Sequence, residues 1–434
     1  MRLEKITINR YKSIKKLVLH DLGILHIFIG ANNAGKTNIL DSIYRLYNGN
    51  SIRLHDPECD IHASFSLTLD RKKSILDVVQ LADLTKFLLD DKEISPDKGK
   101  EILSSRMVRI CATDHLSIQK VQHDFESLVV QYPDQFELFH RTLQQYIPQI
   151  MIDRKLFTSS TIEHEGATRP YERLGAGFRQ VFKILLYLFH PVYSVLLLEE
   201  PEVHLHPALI KKLISILEER NLDNQIFLTT HSTNFVRPEN LHRIFRVTKE
   251  GDTTKVHSPR LTGKRINYER LRQELNADNT EMFFADKVLL VEGPSDHILM
   301  RELINKFYTG TKDIKVIQVY GKSNIDVYTD VLDLFDLPYC VLLDRDALYD
   351  TGLNIIQKKI QMRFTEPEVS LIEMLKKYSV FILPNGSIEN NYPRKYQHRQ
   401  KHKTQNAMYA ASRITQDEFV SPRMKFLKEV IDNL

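Results

Sequence analysis

Ile6 and Ile8 alternate with polar neighbours, and an apolar run over 24–29 ends at Gly30, so the pattern predicts strands through the first 70 residues. From 75 to 150 leucine and valine recur at three- and four-residue spacing with few glycines, which predicts a compact helical insertion, with no heptad run long enough for an extended coiled coil. Helix, buried strand (195–198), helix (208–220) and buried strand (225–230) follow. A polar stretch at 242–280 holds Gly251, Pro259 and Gly263 and marks a boundary near 280. Beyond it the alternation resumes: strand 287–291, helix 296–307, strand 314–319, helix 324–335, strand 339–343 and a last strand, 379–383. Alternating β and α predicts an α/β protein with two parallel, doubly wound sheets. The expected domains are 1–245 with the insertion at 75–150 serving dimerisation, a linker at 246–283, a second α/β domain at 284–400 and a basic, helical tail at 401–434.

A length of 434 residues allows two or three domains, and 42% hydrophobic residues supply a core. No apolar run reaches the roughly 20 residues of a membrane span, and the N-terminus lacks the pattern of a signal peptide. Cys59, Cys111 and Cys340 are scattered without metal or redox spacing, which points to a reduced, cytoplasmic setting. The net charge of +4 is too mild to argue for nucleic acid by itself. Glycine is scarce, 15 in all, and Gly30, Gly35, Gly175, Gly177, Gly293, Gly321 and Gly386 fall in the segments that carry the chemistry below.

The segment G-A-N-N-A-G-K-T at 30–37 fits G-x-x-x-x-G-K-[ST], between a predicted strand and a predicted helix. Backbone N–H groups around Gly30, Asn33 and Gly35 would wrap phosphates at a helix N-terminus. Lys36 would reach the β/γ-phosphates, Thr37 would ligate Mg²⁺, and Asn38 belongs to the same cradle. The apolar strand 195–198 runs into Glu199 and Glu200, one carboxylate for Mg²⁺ through water and one to polarise the attacking water. A third strand ends at His231, placed to contact a γ-phosphate. All three groups follow strand C-ends, where open α/β sheets bind ligands. The set resembles the ATP-binding-cassette-type ATPases of the RecF/SMC branch over residues 1–245. That resemblance implies Walker A at 30–37, Walker B at 195–200, a switch histidine at His231, and a signature loop, L-G-A-G-F-R-Q at 174–180, through which Gly175 and Gly177 complete the site of a second head in a dimer. Two departures stand out: Glu199 where the wider family has Asp, and Gly175 where transporters carry Ser. Glu202, His204 and His206 lack the companions of a zinc site and fit a charged loop beside a nucleotide.

The second unit repeats the arrangement with acids. Strand 288–291 runs into Glu292, Gly293, Pro294, Ser295 and Asp296; strand 341–343 runs into Asp344, Arg345 and Asp346; the strand between them ends at Tyr320, Gly321 and Lys322. Neighbouring strands would bring Glu292, Lys322, Asp344 and Asp346 into one crevice, and such carboxylates suit Mg²⁺ or Mn²⁺. Two ions of this kind activate water and stabilise the leaving oxygen in phosphodiester cleavage. Helix capping is the competing reading for Asp296. The order of these elements resembles a TOPRIM domain, whose implied metal ligands are Glu292, Asp296, Asp344 and Asp346.

An ATPase followed by TOPRIM is similar to the OLD (overcoming lysogenization defect) family of nucleases, over roughly residues 1–400. The resemblance implies a further ligand at Glu389, within Gly386-Ser387-Ile388-Glu389, and a late lysine for which Lys401 and Lys403 are candidates. A basic run with Arg394, Lys395, Arg399, Lys401 and Lys403 fits a solvated face and a DNA-holding face equally. The implied activity is an ATP-regulated, divalent-metal-dependent DNA endonuclease in antiphage defence. The implied partners are DNA, further copies of the chain (a dimer through the heads, or a tetramer) and a second defence component such as a helicase or a retron reverse transcriptase with its RNA/DNA, with no membrane. The rival reading is an ATP-gated DNA clamp, RecF-like, whose TOPRIM fold binds without cutting.

Overall fold

Strands β1 (Arg2–Tyr11) and β2 (Ile14–His20) alternate buried and accessible positions, whereas β3 (Leu25–Ile29) is buried at every residue. A half-buried strand suits an antiparallel sheet with one wet face, and a wholly buried one the middle of a covered parallel sheet. The two patterns separate accordingly. This computed structural model describes residues 1–48, 58–69, 71–81, 84–111, 116–147, 150–151, 161–164, 167–171, 174–219, 223–259, 268–274, 279–349, 354, 356–357, 368–397 and 402–434. Its chain divides into two units, Met1–Val236 with Arg243–Val256, and Arg237–His242 with His257–Leu434.

In the first unit β3 leads through a glycine-rich turn into helix α1 (Lys36–Asn48). Strands β4 (Asp60–Leu69), β5 (Lys72–Leu81), β6 (Leu84–Leu89) and β7 (Lys92–Ile94) extend an antiparallel sheet of order β2-β1-β4-β5-β6-β7. The expected helical insertion from 75 is therefore corrected: Leu76, Val78 and Phe87 turn one face of a hairpin into the core. Closely spaced leucines and valines satisfy period two as well as 3.6, and the sheet face decided between them. Helices arrive later, as α2 (Pro96–Ser104), α3 (Ile118–Gln131) and α4 (Pro133–Tyr146), with strand β8 (Met107–Cys111) between the first two.

A small antiparallel sheet of β9 (Ile150–Met151), β10 (Thr161–His164) and β11 (Ala167–Pro170) precedes helix α5 (Ala176–Phe189). Then come β12 (Val195–Glu199), α6 (Pro207–Leu217), β13 (Gln225–Thr230), β14 (Ile244–Glu250) and β15 (Thr253–His257). The second sheet runs β15-β14-β3-β13-β12-β8, with β14, β3, β13, β12 and β8 mutually parallel. Only this sheet matches the parallel expectation for the first unit. Because β14 joins it beside β3, the unit reaches beyond the expected limit of 245 and takes in part of the expected linker.

The second unit follows its pattern closely. Strand β16 (Lys287–Val291), helix α7 (Pro294–Phe307), β17 (Ile314–Gln318), helix α8 (Ile325–Leu334), β18 (Tyr339–Leu343), helix α9 (Glu368–Lys376) and β19 (Val380–Ile382) build a sheet of order β17-β16-β18-β19, parallel throughout. Helix α10 (Lys403–Arg413) and the residues after it are no loose tail: Ala407, Ala410, Leu427, Val430 and Ile431 share a core with Leu289, Leu299, Leu342 and Phe381. No helix among the described residues is long and apolar enough to cross a membrane.

Candidate functional site

Register fixes the first rim. Thr230 of β13 pairs with Ile29 of β3, and Thr229 pairs with Glu199 of β12, so three parallel strands end together at Gly30, Glu199–Glu200 and His231. The turn after β3 is shaped by left-handed backbone at Asn33 (φ +63°) and Gly35 (φ +102°). A Cβ on Gly30 would meet the Val247 carbonyl oxygen at 2.1 Å, so that position has room for nothing larger than glycine. Lys36 is buried and donates to the carbonyl oxygens of Gly30 and Ala31, both at 2.9 Å. Its Nζ lies 3.3 Å from His231 Nδ1, whose Nε2 is 2.8 Å from Glu200 Oε1. Burial pushes the Lys36 ammonium down to about 8, against the pull of Glu200 and Glu202. Glu200 itself sits at φ +46°, the strained left-handed region. Thr37 stands in the first turn of α1. Asn38, expected in the phosphate cradle, faces elsewhere: its amide donates to Ser13 Oγ at 2.7 Å and holds the β1–β2 turn.

Glu202 accepts from Thr230 Oγ1 (2.6 Å) and from the His231 backbone N–H (2.9 Å), so it braces the histidine. His206 caps α6 by accepting from the Ala208 N–H. These jobs agree with the loop reading over a zinc site. Gly175 opens α5 with nothing near its absent Cβ, whereas a Cβ on Gly177 would meet the His204 carbonyl oxygen at 2.4 Å. Gly177 thus packs the signature segment against the loop that follows β12.

One side chain of this rim escaped the sequence reading. Arg109, on β8, donates to Glu199 Oε2 at 2.7 Å and to Asp41 Oδ1 at 2.9 Å, with its own side chain 12% exposed. Asp41, one helical turn after Thr37, also accepts from Tyr11 (2.8 Å) and pairs with Lys12. Its carboxyl is held below the usual range by those partners, against burial, which pulls the other way. The signal was hidden because β8 becomes a neighbour of β12 only in the folded sheet.

The second rim gathers Glu292, Asp344 and Asp346, whose nearest oxygens all lie within 4.8 Å of one another. The β16–β18 register aligns Val291 with Leu342, which sets the ends of the two strands side by side. Asp344 Oδ1 is buried without a hydrogen-bond donor, as a ligand oxygen without its cation would be. Burial, Asp346 and Glu389 push Asp344 up to about 6. Lys322 enters the cluster, 2.5 Å from Asp346 and 3.8 Å from Glu292.

Asp296 stands apart from the triad. Its Oδ2 accepts from the Gly293 N–H at 2.8 Å in a capping arrangement at the start of α7. Burial, with Asp344 close by, pushes it up to about 7. Asp296 therefore caps α7 and is not among the three residues whose oxygens converge. Glu389 also falls outside the triad, in a short turn at Ile388–Asn391, yet near enough to raise both Asp296 and Asp344. Lys403 approaches Glu389 at 4.0 Å, and Lys401 lies outside the described residues.

A family profile described as overcoming lysogenization defect protein-like, TOPRIM domain, matches residues 283–346, and an AAA-domain profile matches 60–237. The chain carries an AAA-type ATPase domain and an OLD-like TOPRIM domain. The TOPRIM match takes in β16 through Asp346 and so contains Glu292, Lys322 and all of the triad. Over 151 residues the chain is 29% identical to the endonuclease GajA of Bacillus cereus, covering 33% of this chain and 26% of that protein. Over 196 residues it is 28% identical to the OLD nuclease of Thermus scotoductus, covering 42% and 37%. Over 58 residues it is 41% identical to the DNA replication and repair protein RecF of Acinetobacter baumannii, covering 13% and 16%. In each case the matched region is well under half of the relative's length. Among solved structures, an SMC head bound to the C-winged helix domain of ScpA is similar at 16% identity and a TM-score of 0.49, over 59% of this chain and 98% of that one.

Proposed function

We propose that this protein is an ATP-regulated DNA endonuclease that cuts phosphodiester bonds at the carboxylate triad of its TOPRIM domain with the help of Mg²⁺ or Mn²⁺. The observation that carries the reading is the convergence of Glu292, Asp344 and Asp346 within 4.8 Å, with Asp344 Oδ1 buried and lacking a donor. A set of oxygen donors without cysteine or histidine fits a hard divalent ion. Bound there, such an ion would generate a nucleophilic hydroxide and neutralise the leaving oxygen. The three carboxylates would hold it, with Glu389 as a further acid beside them and Lys403 facing Glu389 at 4.0 Å. The nuclease names of GajA and the OLD protein support the same assignment. An antiphage role rests on the resemblance to OLD nucleases.

In the ATPase domain, Lys36 and the amides of residues 30–35 would bind the triphosphate, Thr37 and Glu199 would hold its Mg²⁺, and Glu200, tied to His231, would orient the attacking water. Gly175 and Gly177 would complete the site of a second head, so ATP would draw two copies together. A further defence component, such as a helicase or a reverse transcriptase with its nucleic acid, would be found by purification from the native host. The test is incubation of plasmid and linear DNA with Mg²⁺ or Mn²⁺, with and without ATP. Wild type should cut, and Asp344→Ala should not, while its ATP affinity persists. Equal cutting by Asp344→Ala would remove the nuclease reading.

A further inference from the structure

Lys322 sits where a cation belongs. Its side chain is 9% exposed, with Nζ 2.5 Å from Asp346 Oδ1 and 3.8 Å from Glu292 Oε2. Those residues supply two of the three oxygens that come within 4.8 Å of one another. Lysine is rarely buried unless paired, and here its partners are the very carboxylates that a divalent ion would need.

The backbone is built to deliver it. Tyr320 and Gly321 are consecutive left-handed residues, at φ +56° and +121°. Glycine adopts that conformation freely, but tyrosine does so under strain, with Tyr320 57% exposed. Three hydrogen bonds hold the turn, one to the sheet and two within the turn itself: Val319 N–H to Val291 O (2.9 Å), Asn324 N–H to Gly321 O (3.1 Å) and Asn324 Nδ2 to Val319 O (3.0 Å). The first of these fastens the turn to the residue just before Glu292.

We propose that the Lys322 ammonium is the resident cation of the TOPRIM carboxylate site, balancing Asp346 and Glu292 until a divalent ion displaces it. The proposal rests on reading the triad as a divalent-metal centre. Two positive centres cannot share oxygens this close without strong repulsion, so metal binding and the Lys322–Asp346 contact exclude each other. Removing the ammonium deletes the competitor and deepens the negative potential. Metal should then bind more tightly, the reverse of what loss of a ligand or of a structural support would do.

The test is Mn²⁺ binding to the full-length, nucleotide-free protein by isothermal titration. Lys322→Met should bind Mn²⁺ about tenfold or more tightly than wild type, and Lys322→Arg, which keeps the charge, should stay within about threefold of wild type. Equal or weaker binding by Lys322→Met, with wild type binding normally, overturns the proposal and leaves the metal centre standing. A wild type that binds no Mn²⁺ overturns both. Should Lys322→Met not fold, the unsubstituted protein gives the answer through acetylation with acetic anhydride, read by mass spectrometry. Mn²⁺ should raise labelling of Lys322 as the ammonium leaves the carboxylates, and an unchanged or lower rate overturns the proposal.

Discussion

Asp296 gives the TOPRIM domain a pH dependence of stability that can be worked out in advance. Its carboxyl is raised from 3.8 to about 7, first by burial and then by Asp344, while its Oδ2 takes the Gly293 N–H. An acid raised on folding keeps its proton in the native state after the unfolded chain has lost it. Folding then binds a proton, so stability falls as pH climbs from about 4 to about 7, and the full penalty remains above that. Two pH units of this fall lie between pH 5 and 7, at about 1.4 kcal/mol each, which makes about 3 kcal/mol. Asp344, raised to about 6, acts in the same direction. Asp296→Asn keeps an oxygen for the Gly293 N–H and removes the titration. In EDTA, the melting temperature of wild type relative to Asp296→Asn should drop by about 6–12 °C between pH 5 and pH 8, followed by circular dichroism. A difference between the two proteins that stays constant with pH, or that grows as pH falls, would refute the argument.

Lys36→Ala should lose ATP binding measured by titration calorimetry, because the only charge of the phosphate loop disappears; unchanged affinity would refute the P-loop assignment. Arg109→Met should destabilise the ATPase domain by about 3 kcal/mol in urea unfolding, since Glu199 and Asp41 lose a shared, mostly buried partner. A loss under about 1 kcal/mol would mean that the pair behaves as a surface salt bridge. Gly30→Ala should abolish soluble expression or nucleotide binding, as the new methyl would overlap the Val247 carbonyl; a well-folded, ATP-binding variant would contradict the packing.

The TOPRIM unit was legible because its strands are short apolar runs separated by helices, and each strand has only one way to bury itself. β16 and β18 fall where the pattern put them, and parallel pairing then carried Glu292 and Asp344 to one edge. The ATPase unit was harder to read. Val78, Leu81, Leu84 and Leu88 carry helical spacing while Leu76, Val78 and Phe87 line one strand face, and only the partner strands β4 and β6 settle the period. Asp296 shows a limit of another kind. An aspartate three residues after Gly293 is both a plausible ligand and a plausible cap, and the choice depends on a rotamer that no spacing specifies.

The pattern of strand ends placed Lys322 in one crevice with Glu292, Asp344 and Asp346, but it left open which acid that cation faces and did not show Arg109 at all. Carboxylates at strand ends announce themselves, because a buried apolar run followed by Glu or Asp is a local pattern. Their partners are non-local. Arg109 reaches Glu199 because β8 lies beside β12, ninety residues away along the chain. Lys322 reaches Asp346 because β17 and β18 both flank β16. Each pairing neutralises an acid that the proposed function gives to a divalent ion, so on that proposal a bound ion would compete with a fixed basic side chain in both domains. Metal affinity in this protein should then be set as much by these two cations as by the carboxylates. The Asp346 pair is the more open contest, because that carboxylate is 72% exposed, whereas Glu199 and Arg109 are 18% and 12% exposed. Screening by solvent weakens the first pair more than the second, so the TOPRIM site should yield to a divalent ion more readily than Glu199 yields from Arg109.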